Sequence, residues 1–190
     1  MKSAFILIFI SLFGLSVSTA YAFDANKVPE KKRTTLGLYL SPKEAYDMAS
    51  KGKVLFIDVR TREEVNFLGM PTVADANIPY MQMDEMHEWN DRKSSYKLIP
   101  NSAFVTLVAD RVKAKGMNKN SPIILMCRSG DRSALATNLL AKDGYTRVYT
   151  IVTGFEGNMS KDGRRSVDGW KNSGLPWSYK LARAKMSLDY

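Results

Sequence analysis

The sequence predicts an α/β domain of three layers, with helices on both faces of a central, mainly parallel sheet of about five strands. Two continuous apolar runs, residues 54–57 and 122–126, are typical of strands that are buried on both faces. Helical patterns alternate with these and with shorter apolar runs, as in parallel α/β folds. The length of 190 residues and the hydrophobic content of 45% suit one domain with a substantial core.

The first 22 residues are patterned as a secretory leader. Lys2 supplies a positive start, residues 4–17 are almost wholly apolar, and Ala20-Tyr21-Ala22 has the spacing of a cleavage site. The apolar run is short for a membrane span, which takes about 20 residues. We therefore predict a signal peptide at 1–22, export to the bacterial periplasm, and no stable membrane span after cleavage before Phe23. An uncleaved N-terminal anchor is the alternative.

The elements of the domain follow in order. Residues 23–35 are polar and basic, and we expect a flexible lead-in there. Residues 36–40 predict an edge strand. Ser41, with Pro42 at the first helical position and Glu44 completing a capping box, predicts the start of a helix that ends near residue 50.

The middle of the chain continues the alternation. The strand at 54–57 runs into Asp58, Thr61 begins a short helix, and residues 76–79 predict a third strand. Residues 80–101 are mixed in character and predict an irregular insertion with at most a helical turn. Asn101 or Ser102 then caps a helix that Gly116 ends, and its apolar residues at 104, 107, 108 and 112 share one face.

The strand at 122–126 opens the last third of the domain. Residues 133–142 predict a helix in which Leu135, Leu139 and Leu140 are available for burial. The remaining predictions are a strand at 148–152, a charged, Gly-rich insertion at 157–169, a segment at 170–179 that packs back, a domain boundary at 36–180 and a C-terminal tail at 181–190.

Cys127 is the only cysteine, and it follows the strand at 122–126 directly. Ligands of open parallel sheets bind beyond the carboxyl ends of the strands, so its position indicates function. A lone cysteine forms no internal disulfide; it is a buried inert thiol, a partner for another molecule, or a nucleophile. With His87 as the only histidine, a Cys/His zinc cluster within one chain is excluded, and we expect no metal or other cofactor.

The residues after Cys127 favour the nucleophile. A helix N-terminus presents free N–H groups, Arg128 and Arg132 add positive charge, and Gly130 lets several N–H groups face one point. Each of these favours thiolate over thiol. Asp131 opposes them unless it points into solvent or pairs with an arginine.

This loop resembles the active-site loop of rhodanese domains, and other segments resemble that family in the same order. The resemblance spans residues 36–177. Its remaining motifs are Phe56-Ile57-Asp58-Val59-Arg60, Asp75-Ala76-Asn77-Ile78-Pro79, Val152-Thr153-Gly154-Phe155 and Gly174-Leu175-Pro176. The chain departs from the family at Gly69-Met70-Pro71, where Gly-His-Ile is common, and in its longer insertions at 80–101 and 157–169.

The resemblance implies a rhodanese-like fold and a sulfurtransferase. Cys127 would attack the sulfane sulfur of thiosulfate or a related small anionic donor, form a persulfide, and pass the sulfur to cyanide, a thiol or a protein acceptor. The substrate-binding loop would be Arg128, Ser129, Gly130, Asp131, Arg132 and Ser133. Asp58 and Arg60 would form a supporting ion pair behind it rather than act on substrate.

Two other functions compete with this one. A persulfide carrier or sulfur-binding partner protein would use the same loop without rapid turnover. A cysteine phosphatase is least favoured, because such enzymes place the arginine that clamps phosphate six positions after the cysteine, where this chain has Ser133. Here the arginine falls one position earlier, at Arg132, and the shorter loop makes a smaller cradle.

Net charge and one methionine-rich segment bear on which ligands the protein could bind. The formal net charge of +9 favours solubility first and anionic substrates second, and no basic stripe interleaved with aromatics predicts nucleic-acid binding. Met81, Met83, Met86 and His87 lie close together in sequence, and soft thioethers with an imidazole can bind copper(I). We favour packing of the insertion or an adaptable apolar surface for these methionines.

Overall fold

The computed structural model describes residues 23–187, so the predicted leader and the last three residues lie outside the described part of the chain. The helices are α1 (Pro42–Lys51), α2 (Arg62–Leu68), α3 (Phe104–Ala114), α4 (Asp131–Lys142) and α5 (Gly169–Asn172). The strands are β1 (Tyr39–Leu40), β2 (Leu55–Asp58), β3 (Met70–Pro71), β4 (Ala76–Asn77), β5 (Met81–Met83), β6 (Trp89–Asn90), β7 (Ser95–Tyr96), β8 (Leu98–Pro100), β9 (Ile123–Met126), β10 (Val148–Ile151) and β11 (Trp177–Ser178).

Five strands form the central sheet in the order β1-β10-β9-β2-β4. Every neighbouring pair in it is parallel. At its centre, Leu125 of β9 stands between Ile57 of β2 and Thr150 of β10. The predicted parallel α/β sheet of about five strands is thus confirmed, with β1 at an edge as expected.

The two faces of this sheet build two separate cores. Residues 55, 57, 123 and 125 pack on one face with Val108 of α3 and Leu140 of α4. Residues 56, 124 and 126 pack on the other face with Ala45 of α1 and Trp170 of α5. Alternate residues of one strand therefore lie in opposite cores, which is why these strands are apolar throughout.

Local signals start the first two helices. The Ser41 hydroxyl accepts the N–H of Glu44, and Glu44 in turn accepts the N–H of Ser41. Thr61 and Glu64 form the same reciprocal pair before α2. These capping boxes fix where each helix begins relative to the strand before it.

Helix α4 begins two residues earlier than expected, at Asp131, and buries a different face. Leu140 is buried, but Leu135 and Leu139 are largely on the outside, so the expectation that all three are buried is wrong. Small residues at 133, 134, 136 and 137 lie against the sheet instead. They let the helix approach β9 and β10 closely, which leaves Leu135 and Leu139 on the solvent side.

The insertion at 80–101 is more regular than expected. β5 pairs antiparallel with β8, β6 pairs antiparallel with β7, and a 3-10 turn, Asp91–Lys93, closes the tip. We call residues 81–100 the hairpin. The expectation of an irregular segment is wrong because this ladder joins residues far apart in sequence without a two-residue turn signal.

Both ends of the described chain contact the domain. Residues 23–35 contain two 3-10 turns, and Val28 is buried against Tyr39 and Val152. Near the C-terminus, Met186 forms a bridge with Asn77 beside β4. Among residues 23–187, no helix is long and apolar enough to cross a membrane.

Candidate functional site

Cys127 lies at the carboxyl end of β9, in the middle of the sheet. Its side chain is buried, with 1% of the residue exposed. The N–H of Gly130 donates to Cys127 Sγ at 3.1 Å. A backbone donor at this position stabilises negative charge on sulfur, because the N–H is already oriented and needs no reorganisation.

A turn after β10 holds the cysteine loop from one side. The N–H of Phe155 donates to Cys127 O at 2.8 Å, and the N–H of Glu156 donates to Arg128 O at 3.0 Å. Gly154 has φ +65°, and a Cβ on it would lie 2.5 Å from Cys127 O. Glycine is therefore required where the two backbones meet.

Gly130 meets a similar constraint. Its φ is +100°, and a Cβ there would lie 2.0 Å from Val152 O. Only glycine lets the loop turn against the end of β10 while its N–H points at Sγ. Ser133, one turn into α4, is buried and donates to Gly130 O at 3.1 Å. Thr150 donates to Ser133 Oγ at 2.8 Å.

Asp58 and Arg60 form a fully buried ion pair behind this turn. Arg60 Nη2 lies 2.6 Å from Asp58 Oδ2 and also donates to Gly69 O at 2.7 Å. The guanidinium carbon lies 3.9 Å from the ring centroid of Phe155. The N–H of Phe155 is hydrogen-bonded to Cys127 O. The Asp58–Arg60 pair therefore supports the loop by packing against Phe155, and it does not reach Cys127 Sγ.

Arg132 is neutralised by a carboxylate. Its two terminal nitrogens donate to the two oxygens of Glu64 at 2.7 and 2.6 Å, in a bidentate pair that is mostly buried. Burial alone would raise the pKa of Glu64, but the bonds and charge of Arg132 outweigh it and lower that pKa. Likewise, burial opposes the charge of Arg132, yet Glu64 raises its pKa.

The Arg128 side chain is more exposed than that of Arg132 and makes fewer hydrogen bonds. Its Nε donates to Glu156 at 2.7 Å, and its side chain is 45% exposed. Within residues 23–187 its terminal nitrogens make no other hydrogen bond. Asp131 pairs with a lysine and not with an arginine: Lys31 Nζ lies 2.9 Å from Asp131 Oδ2.

A cavity of about 630 Å³ opens over the cysteine. The loop contributes Cys127, Arg128, Ser129, Asp131 and Arg132 to its wall, whereas Gly130 and Ser133 do not line it. The opposite wall comes from the hairpin and includes Met81, Met83, Tyr96, Lys97, Leu98 and Ile99. The second insertion, residues 157–169, contributes nothing to this wall. Of the two insertions, the hairpin therefore borders the site.

The methionine-rich segment divides between two environments. Met81 and Met83 line the cavity, Met86 is exposed, and His87 packs edge-on against Tyr96. Over residues 23–187, no group of three or more His, Cys, Asp or Glu side chains could hold a metal ion. We keep the interpretation that these methionines form an apolar surface.

Two site residues are not identified by the sequence patterns. Glu64 stands only in the helix start at Thr61, and no motif marks Glu156. Their pairings join positions 68 and 28 residues apart, which no local pattern encodes. The apolar side of the hairpin, alternating at Met81 and Met83, was visible in the sequence as a period-2 signal.

The chain matches the family described as Rhodanese-like domain over residues 41–161. It therefore belongs to that family, as the motifs predicted. Membership supports a role of the sulfurtransferase type. The matched segment contains Cys127 and the hairpin.

Relatives and solved structures are similar over most of the domain. An uncharacterized protein of Rickettsia conorii, RC0915, is 32% identical over 138 residues, which is 72% of this chain and 93% of that one. The crystal structure of Rv0390 from M. tuberculosis has a TM-score of 0.58 and 26% identity, covering 75% of this chain and 97% of that one. The polysulfide-sulfur transferase of Wolinella succinogenes aligns with a TM-score of 0.44 and 24% identity, covering 74% and 77%.

Proposed function

We propose that the protein is a sulfurtransferase in which Cys127 carries sulfane sulfur as a persulfide. One observation carries the proposal: the Sγ of the only cysteine accepts an N–H bond from Gly130 at the base of a cavity large enough for substrate. Anionic sulfur on Cys127 would be stabilised there by an oriented backbone donor.

In the first half-reaction, the Cys127 thiolate attacks the sulfane sulfur of thiosulfate or a related donor. An S–S bond forms to Cys127, the donor's own S–S bond breaks, and its electron pair leaves with sulfite. In the second, cyanide or a thiolate attacks the outer sulfur and departs as thiocyanate or a new persulfide. The Cys127 thiolate is regenerated, and no cofactor takes part.

Of the two loop arginines, we assign donor binding to Arg128. Both terminal nitrogens of Arg132 already donate to Glu64, whereas Arg128 donates to Glu156 only through Nε. A charge-assisted bond to an anionic donor is worth about 1.5–3 kcal/mol. Arg128→Ala should therefore raise the KM for thiosulfate roughly ten-fold or more, with little change in Tm. An unchanged KM for thiosulfate would contradict the assignment of donor binding to Arg128.

The cavity supports an acceptor larger than cyanide. Organic ligands of drug size occupy pockets of roughly 300–1,000 Å³, and the cavity of about 630 Å³ lies in that range. Its wall mixes apolar side chains, such as Met83 and Ile99, with charged groups, such as Lys97. A thiol of organic or peptide character fits this surface better than a small inorganic ion.

A persulfide carrier is the second candidate, and the burial of Cys127 favours it. With 1% of the residue exposed, a persulfide on Cys127 would be shielded from small thiols in solution. Such a protein would load sulfur but release it only to a docked partner protein.

Turnover kinetics separate the two functions. The purified protein is given thiosulfate, polysulfide or an organic persulfide, with cyanide or a small thiol as acceptor, and Cys127→Ser is the control. Continuous product formation that is lost in Cys127→Ser supports the enzyme. A single stoichiometric release supports the carrier. No Cys127-dependent transfer from any of these donors would contradict both.

The leader pattern supports the further proposal that the protein works after export to the bacterial periplasm. The lone cysteine then has no internal partner, so a persulfide must discharge to an outside acceptor. Sequencing the N-terminus of the protein isolated from its host tests this. Phe23 is the expected first residue, and Met1 would contradict cleavage.

A further inference from the structure

The lead-in, residues 23–35, lies against the cysteine loop. Lys31 pairs with Asp131 of the loop, and Thr35 donates to Asn138 of α4 at 2.9 Å through its N–H. Between them, Lys32 turns inward and is only 4% exposed. A segment that was expected as a flexible lead-in thus contributes a buried charge beside the site.

Lys32 packs directly behind Gly130. Its Nζ donates to Val152 O at 3.0 Å, the same carbonyl that a Cβ on Gly130 would strike. Its Cδ would lie 3.2 Å from that Cβ. Gly130 is therefore confined between Lys32 and Val152, and its N–H is the donor to Cys127 Sγ.

The charges around Cys127 make Lys32 distinctive. Arg132 and Lys32 both interact electrostatically with Cys127. Arg132 is neutralised by its bidentate contact with Glu64. Within residues 23–187, Lys32 forms no ion pair, although Lys31, Asp131 and Asp168 also act on it at longer range.

Burying an ammonium in this way costs stability. Burial lowers the pKa of Lys32, an effect that Asp131 opposes only in part. The folded state therefore releases this proton at lower pH than the unfolded state does, and charged Lys32 disfavours folding at neutral pH. An apolar side chain of similar length would fill the space without that cost. It would also remove the hydrogen bond to Val152 O, so the two contributions to stability oppose each other.

We propose that Lys32 is a positioning residue for Cys127, which braces Gly130 and places beneath the loop a positive charge that favours the thiolate. The inference rests on the proposed function, in which the thiolate is the reactive form. It makes the lead-in a part of the active site. It also makes Lys32 a stronger stabiliser of the thiolate than Arg132, because Glu64 offsets the charge of Arg132.

The pH profile of Cys127 alkylation tests this without any sulfur donor. Because the chain has one cysteine, iodoacetamide incorporation reports on Cys127 alone. In Lys32→Met, we expect the midpoint of the profile to rise by about half a pH unit or more, since a nearby opposite charge favours the ionised form. Lys27→Met, which removes an exposed charge of the same segment, should leave the midpoint in place.

Salt separates a buried charge from a general surface effect. At about 0.5 M salt the Debye length falls to roughly 4 Å, yet buried charges are screened much less. The Lys32→Met shift should therefore persist there.

Three results would overturn the proposal: no shift in Lys32→Met, an equal shift in Lys27→Met, or a shift that disappears in salt. If Lys32→Met does not fold, Lys32→Gln is read by the same criteria. Failure of sulfur transfer with a normal Lys32 effect would instead contradict the proposed function alone.

Discussion

The two walls of the cavity are built in different ways. The cysteine loop is fixed by backbone bonds, by two glycines with positive φ and by buried ion pairs. The hairpin across from it is a narrow antiparallel ladder that carries exposed side chains such as Met86 and Trp89. From this difference we propose a division of labour. Under the proposed function, the rigid loop carries out the sulfur chemistry, and the hairpin selects which acceptor reaches the sulfur.

The largest effect is expected at Gly130. In Gly130→Ala, the Cβ meets Val152 O and the backbone is strained, so the unfolding free energy should fall by about 3 kcal/mol and sulfur transfer roughly 100-fold. Gly116→Ala is the matched control, because Gly116 also has positive φ but nothing lies within 4 Å of its Cβ. Urea unfolding and transfer assays measure both. Equal, mild effects at the two glycines would contradict the claim that the cysteine loop is rigid at Gly130.

The second-largest effect is expected at the Glu64–Arg132 pair. Glu64→Gln leaves Arg132 without its counter-charge, and the unfolding free energy should fall by about 2–3 kcal/mol at neutral pH. The folded pKa of Glu64 is lowered from its ordinary 4.5, so the stabilisation is complete above that value and is lost as pH falls through the folded pKa. The Tm difference between parent and Glu64→Gln should therefore shrink in acid.

An exposed pair provides the control for that prediction. Asp47→Asn breaks the i,i+4 contact of Asp47 with Lys43 on α1 and should cost about 0.5 kcal/mol or less. A Glu64→Gln difference that is equally small, or that grows as the pH falls, would show that the buried pair does not stabilise the loop.

The smallest effect is expected from the hairpin. Met83→Ala removes apolar contact from the cavity wall and should raise the KM for an aromatic thiol about five-fold, equivalent to roughly 1 kcal/mol. Cyanide, which is too small to touch that wall, should be used equally well by both proteins. Met86→Ala, at an exposed position outside the wall, should change neither acceptor. A Met83→Ala effect of equal size on cyanide would contradict a role in selection.

The same division explains what could be predicted from the sequence. The main strands, the Ser41–Glu44 capping box, the helix start at Thr61 and the place of Cys127 after β9 depend on patterns within a few residues, and they were predicted. Contacts such as Lys32 with Val152, 120 positions apart, depend on the assembled fold. The hairpin lacked a turn signal, and α4 packs small residues and Leu140 against the sheet, with Leu135 and Leu139 outside. The family and the place of the cysteine loop in the fold were therefore predictable, whereas the charge pairing around the loop and the outer wall of the cavity were not.

The intact mass of the protein after incubation with sulfane donors shows whether Cys127 carries a persulfide. We expect a gain of one sulfur atom, located by peptide mapping at Cys127, reversed by a reducing thiol and absent in Cys127→Ser. No gain with thiosulfate, polysulfide or organic persulfide, or a gain that survives in Cys127→Ser, would contradict it.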